Sequence, residues 1–170
     1  MTNKARGVYR ISASELRRLR TLAEKRQKSG QREVGGLILS DDGFQLKLAF
    51  LANQARRSCQ FRTSESAYKS ARDRAQRQGE SILGTFHSHP ISEAIPGDGD
   101  IKNAHEEIKN AGSGSLMLIY DVCGREAKLW EIRKVRGRRQ ARELTLDSGE
   151  GVARQAARKL PTRSTRVSAS

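Results

Sequence analysis

Apolar residues recur along the chain with two different periods, and each period predicts a different secondary structure. Six short segments are either apolar throughout or alternate between apolar and polar residues, which is typical of β-strands. Three longer segments begin at a capping serine or an acidic residue and continue as helices. The predicted strands are 8–11, 34–39, 44–48, 82–86, 116–120 and 128–132, and the predicted helices are 13–28, 65–78 and 100–110.

Strands that alternate with helices and hairpins predict an α/β fold, in which helices flank a mixed central β-sheet. The length of 170 residues favours a single domain. We expect this domain to span residues 1–146, with its core at about 7–133. Apolar positions are scarce after 146, so residues 147–170 are predicted to form a basic, disordered tail.

The charges divide the chain into three parts. The chain has 33 Lys and Arg against 19 Asp and Glu, a net charge of +14. This charge is +8 over residues 1–32, −2 over 33–132 and +8 over 133–170. The basic flanks favour an acidic partner or non-specific binding to nucleic acid, and a merely solubilising role is the alternative.

Two absences predict the cellular compartment. Cys59 and Cys123 are far apart and form no CxxC pair, which argues against a thiolate metal site or a disulfide framework. The N-terminus lacks the apolar core of a signal peptide, and no stretch approaches the roughly 18–20 apolar residues of a membrane span. We therefore expect a cytoplasmic protein with no membrane partner.

The segment after the predicted strand 82–86 carries a candidate metal site. His87 and His89 are two positions apart, so an extended backbone presents both imidazoles to one side. Pro90 favours an extended conformation at His89, and Asp100 follows eleven positions later at a predicted helix start. A lone His-x-His pair is also typical of surface or core histidines. Its place after a strand and the later aspartate favour a Zn²⁺ site.

A second carboxylate, Glu33, precedes the glycine-rich strand 34–39. Three protein ligands leave a position open, as in catalytic rather than structural zinc sites. Glu33 is then free to act as general acid and base, taking a proton from a metal-activated water. Gly35 and Gly36 are interpreted as positions of close strand packing rather than of substrate contact.

These residues resemble the JAMM (MPN+, or JAB-domain) metalloprotease signature. That signature is an early Glu, then His-x-His-Pro, then seven to ten residues to a Ser and an Asp. The resemblance covers about residues 7–133 and implies a cytidine-deaminase-like α/β fold. The matching positions are Glu33-Val34-Gly35-Gly36, His87-Ser88-His89-Pro90, Pro96 and Asp100, with Asn53, Phe61 and the Ile82-Leu83-Gly84 strand around them.

The resemblance implies roles for individual residues. His87, His89 and Asp100 are the implied zinc ligands, and Glu33 is the implied general acid and base. Spacing favours Asp100 over Asp98 as the carboxylate ligand. Ser88 is expected to point away from the metal and to form hydrogen bonds behind the ligands.

One position departs from the family. The serine that helps to stabilise the tetrahedral intermediate should fall at position 97, where this chain has Gly97. Loss of such a donor typically costs roughly 10²–10³ in rate. A backbone N–H in the turn 96–99, a water, or Ser92 in the same loop are the candidate substitutes, so we interpret the site as an active variant.

The resemblance implies a zinc-dependent metalloprotease or isopeptidase that cleaves a peptide or isopeptide bond, at the C-terminus of a ubiquitin-like or other small protein. The short stretch from Ser40 to Thr63 has little room for the insertions with which eukaryotic relatives hold ubiquitin, so a compact prokaryotic-type member is implied. A non-catalytic MPN-type scaffold, or a basic nucleic-acid-binding module, is the alternative.

Overall fold

The computed structural model describes residues 8–111 and 115–149, and of residues 105–111 it describes the backbone alone. The helices are α1 (Ala13–Lys28), α2 (Glu65–Arg77) and α3 (Asp98–Ala111). The strands are β1 (Tyr9–Ile11), β2 (Gly35–Ser40), β3 (Gln45–Leu51), β4 (Ser81–His89), β5 (Leu116–Asp121), β6 (Glu126–Val135), β7 (Arg138–Leu144) and β8 (Leu146–Asp147).

The strands described here form one mixed sheet in the order β7-β6-β5-β4-β2-β3-β1-β8. Strand β4 runs parallel to β5 and antiparallel to β2, and β1 runs parallel to both β3 and β8. The remaining neighbours pair antiparallel. The predicted fold class, a mixed sheet flanked by helices, is confirmed.

Two features differ from the sequence prediction. The sequence did not predict strands β7 and β8. Strand β7 is an exposed edge strand whose charged residues hide the apolar alternation, and β8 has only two residues. Helix α3 begins at Asp98, two residues before the predicted start at Asp100. Of the predicted disordered tail, 147–170, the structure describes only 147–149, and the rest lies outside the described residues. Within the described ranges, no helix combines the length and apolarity needed to cross a membrane.

The helix α1 covers one face of the sheet. Ser12 caps it, and its Oγ accepts a hydrogen bond from the Glu15 N–H at 3.2 Å. The Glu15 carboxylate accepts a hydrogen bond from the Leu48 N–H of β3 at 3.3 Å, which ties the helix to the sheet. The apolar side of α1 packs on the largest core cluster, whose buried members include Leu16, Leu19, Ala23, Ile38, Phe86, Leu118 and Leu129.

Helices α2 and α3 cover the opposite face. Ala75 of α2 packs against Leu37 and Leu39 of β2, whereas Ala104 of α3 packs in a separate cluster. That second cluster comprises Ala94, Ala104, Met117, Ile119 and Ile132, with Ile101, Trp130 and Ala141 against it. Because side chains alternate along β4, the residues on either side of Phe86 face α2 and α3 rather than α1.

Two glycines allow β2 to fit tightly between its neighbours. A Cβ on Gly36 would lie 1.9 Å from the carbonyl oxygen of Ala49 in β3. A Cβ on Gly35 would lie 2.8 Å from the ring of Phe61 and from the carbonyl oxygen of Phe86. Both contacts are too short for a side chain. These glycines therefore allow β2, the strand that follows Glu33, to pack closely against its neighbours.

Candidate metal centre

Two imidazoles meet at the carboxyl end of β4. His87 and His89 are each 8% exposed, and they extend from the face that α2 and α3 cover. Their Nε2 atoms lie 3.1 Å apart, so both nitrogens point to the same place. The alternation of a strand produces this convergence because residues two apart share a face.

Asp100 completes the group from the first turn of α3. Its Oδ1 lies 3.4 Å from His87 Nε2, and its Oδ2 lies 3.5 Å from His89 Nε2. One ligand atom from each of the three residues lies within 4.8 Å of the others. Asp98 is exposed and is not part of this group.

Hydrogen bonds orient two of the three candidate ligands. His89 Nδ1 lies 2.7 Å from the carbonyl oxygen of Glu93. A carbonyl only accepts, so Nδ1 donates, and in the neutral imidazole the lone pair belongs to Nε2, the nitrogen that faces the site. Asp100 Oδ2 accepts from the Gly97 N–H at 2.8 Å.

The electrostatics of the site favour an ionised aspartate. Burial alone would raise the pKa of Asp100, but the adjacent imidazoles of His87 and His89 and the hydrogen bond from the Gly97 N–H hold that pKa well below its ordinary value. Burial opposes protonation of His89, yet the nearby Asp100 carboxylate and the Glu93 carbonyl raise its pKa overall. A carboxylate ligand must be deprotonated to bind a metal, and Asp100 meets that condition.

Glu33 lies beside this group in a buried position. It is 8% exposed, and burial raises the pKa of its carboxyl although the nearby imidazoles of His87 and His89 oppose the change. A carboxyl whose pKa is raised toward neutrality suits proton transfer in both directions.

Two polar side chains hold the backbone around Glu33. Ser88 points away from the candidate ligands, and its Oγ accepts from the Val34 N–H at 2.9 Å. The Ser88 N–H donates to the Val34 carbonyl at 2.8 Å, so two hydrogen bonds join Val34, the residue after Glu33, to β4. On the other side, Asn53 Nδ2 donates to the Glu33 carbonyl at 2.9 Å.

Gly97 is the N-terminal cap residue of α3, since its carbonyl accepts from the Ile101 N–H at 3.1 Å. Its own N–H is used by Asp100 and is therefore not free to bind an oxyanion. A Cβ at position 97 would lie 3.5 Å from Asp100 Oδ2, an ordinary contact, so a serine would fit here. Ser92 is exposed and forms no hydrogen bond with the residues that the structure describes.

The loop between β4 and α3 is anchored by contacts that the sequence pattern did not reveal. Trp130 Nε1 donates to the Ala94 carbonyl at 3.0 Å. Gln27 Nε2 and the Cys123 thiol both donate to the Pro90 carbonyl. Each acceptor is a main-chain oxygen, which has no side-chain signature, so only the fold shows these partners.

The donor set fits a divalent metal ion. Two imidazole nitrogens and one carboxylate converge on one place, and hydrogen bonds orient His89 and Asp100. This set matches the ligands that Zn²⁺ takes in catalytic sites. His87, His89 and Asp100 would hold the ion, and the absence of a fourth side-chain ligand among the described residues leaves room for a substrate oxygen.

The sheet and this donor set together define a domain of the JAB/MPN class. More specifically, the chain belongs to the prokaryotic homologs of the JAB domain, whose family model matches residues 15–135. The compact prokaryotic-type membership that the motif implied is thereby confirmed.

The chain resembles many solved structures, including the following two. Protein DSY2949 from Desulfitobacterium hafniense is 19% identical with a TM-score of 0.60, over 83% of this chain and 94% of that one. AF2198, a JAB1/MPN domain protein from Archaeoglobus fulgidus, is 18% identical with a TM-score of 0.47, over 82% and 99%. At such identities, the likeness to the first shows the fold alone. No curated protein matches the chain significantly.

Proposed function

We propose that this protein is a zinc-dependent peptidase or isopeptidase. The observation that carries the proposal is the convergence of His87, His89 and Asp100 on one place beside the buried Glu33. A scaffold has no need of such a group, whereas hydrolysis of an amide needs both an electrophilic centre and a proton-transfer group.

Each residue of the site has a defined task in this proposal. A bound zinc ion would supply Lewis-acid chemistry, polarising the scissile carbonyl and making water a nucleophile near neutral pH. Glu33 accepts the proton of the attacking water and then delivers it to the leaving nitrogen. The hydrogen bonds of Ser88 and Asn53 keep the Glu33 backbone in register with β4 while the proton moves.

The proposed substrate is the C-terminus of a ubiquitin-like or other small protein, joined through a peptide or isopeptide bond. Membership of the JAB class supports this choice, because the class includes metalloisopeptidases.

The proposal is tested by metal removal. The protein is incubated with fusions of ubiquitin-like proteins to a reporter, before and after dialysis against EDTA, and released reporter is measured on gels and by mass spectrometry. We expect cleavage that EDTA abolishes and added zinc restores. Cleavage that persists unchanged in EDTA, with no metal left in the protein, would contradict the proposal.

Restoring the family serine should raise the rate. Gly97→Ser places a hydroxyl beside the ligand Asp100 without steric conflict, and a side-chain donor to the developing oxyanion typically contributes roughly 10²–10³ in rate. We expect kcat to rise by at least roughly tenfold, with KM nearly unchanged, because the donor acts in the transition state. Gly99→Ser is the matched control, since a Cβ there meets open space. Equal rates for both variants would count against an oxyanion role at position 97.

A further inference from the structure

A cleft with three arginines lies between the connection after β3 and the start of α2. Its volume is about 500 Å³. Arg56, Arg57 and Arg62 line it, and all three are exposed. None forms an ion pair with the residues that the structure describes, and Glu65 is the one carboxylate in the lining. The cleft is locally positive although the segment 33–132 has a net charge of −2.

The loop that carries these arginines is held in one shape. Asn53 uses its whole amide for this purpose: Nδ2 donates to the carbonyls of Glu33 and Gln60, and Oδ1 accepts from the N–H groups of Ala55 and Arg62. The Gln54 N–H donates to the Arg62 carbonyl at 2.6 Å and closes the loop. A further bond, from the Cys59 N–H to the Gln31 carbonyl at 3.0 Å, fastens it to the segment before Glu33.

The same loop places the cleft next to the site. The Phe61 ring packs directly over Gly35, and Gly35 is the register partner of His87. Asn53 links the loop to the Glu33 carbonyl. These two contacts join the loop that carries the arginines to the strand that begins after Glu33, on the sheet face from which His87 extends.

We propose that this cleft binds acidic side chains of the substrate polypeptide next to the bond that is cleaved. The inference rests on the proposed hydrolase function and deepens it by naming a substrate class. The planar fork of arginine matches a carboxylate with two hydrogen bonds, and all three cations are arginines rather than lysines. Because Asn53 already orders the backbone of the loop, binding costs little backbone conformational entropy.

The test is a binding measurement that needs no catalysis. The protein carrying Glu33→Gln is titrated against a short peptide of alternating glutamate and glycine with an uncharged fluorophore, and against the same peptide with glutamine for glutamate. Fluorescence anisotropy gives the affinity of this protein for each peptide, and the same titrations are repeated with the triple variant Arg56→Ala/Arg57→Ala/Arg62→Ala. The charge-matched control is Arg133→Ala/Arg138→Ala/Arg139→Ala, which removes three exposed arginines from the β6–β7 hairpin.

We expect the glutamate peptide to bind more tightly than the glutamine peptide. The cleft variant should lose about tenfold in affinity for it, since three exposed ion pairs each contribute a modest amount. The hairpin control should lose about twofold or less, because it changes only the long-range field. Equal losses in both triple variants, or no preference for glutamate, would overturn the inference.

A substitute variant and a nucleic-acid binding measurement cover the cases in which the cleft variant misfolds or binds a different ligand. If the cleft variant does not fold by circular dichroism, the single exposed change Arg57→Glu replaces it, and it should weaken the glutamate peptide and strengthen a lysine peptide. If the cleft variant instead loses oligothymidylate binding and keeps glutamate-peptide binding, the cleft is a nucleic-acid site and the inference is wrong. Failure of the wild-type protein to hydrolyse any substrate would count against the hydrolase proposal alone, because the binding result does not depend on turnover.

Discussion

The Glu33→Gln variant is expected to lose hydrolysis by roughly 10²–10⁴-fold, the usual contribution of a positioned general acid and base. Glutamine has nearly the same shape and cannot accept the proton of an attacking water. Glu33 is not one of the three converging ligand residues, so the metal content should stay at the wild-type level. The measurement pairs initial rates with metal analysis of the same samples.

The matched control for this variant is Glu93→Gln. Glu93 is an exposed glutamate in the adjoining loop, and only its main-chain carbonyl contacts the site, through His89 Nδ1. The same chemical change should therefore leave the rate within about twofold, as expected for an exposed position. A Glu33→Gln protein that retains most of the wild-type rate would contradict the proton-transfer role. Lost metal would instead assign Glu33 to the coordination of the ion.

The strands that hold the site were predictable from the sequence because they are buried. The segment 34–39 is apolar at every position, and all six residues of β2 are buried. Strand β7 shows the limit of that signal. It pairs along its whole length with β6, yet its sequence is dominated by charge because it forms the sheet edge. Pairing through main-chain atoms leaves no apolar pattern to detect.

The candidate ligands were predictable for a different reason. The spacing of His87 and His89 on a strand determines that both face one side, and the helix start brings Asp100 close to them. The surroundings were not predictable in the same way. Asn53 matches a position of the family signature, but its hydrogen bonds to the Glu33 carbonyl and to three residues of its own loop depend on a loop closure that no local pattern encodes. The arginine cleft depends on the same loop.

The double variant His87→Ala/His89→Ala is expected to lose the metal altogether. Both imidazoles are removed from a site with three candidate protein ligands, and the one remaining carboxylate is too weak a site to keep zinc bound during purification. Hydrolysis should be lost with the ion. Asp100→Ala should weaken binding strongly, whereas Asp98→Ala, an exposed carboxylate two residues away in the same helix turn, should bind metal as the wild type does.

The measurement that tests the central claim most directly is therefore the metal content of the purified full-length protein, by plasma mass spectrometry, beside that of the double histidine variant. The account predicts about one zinc per chain in the wild type and none in the variant, with the fold of both retained by circular dichroism. A wild-type protein that takes up no metal when zinc is offered, or a double variant that holds as much as the wild type, would contradict it.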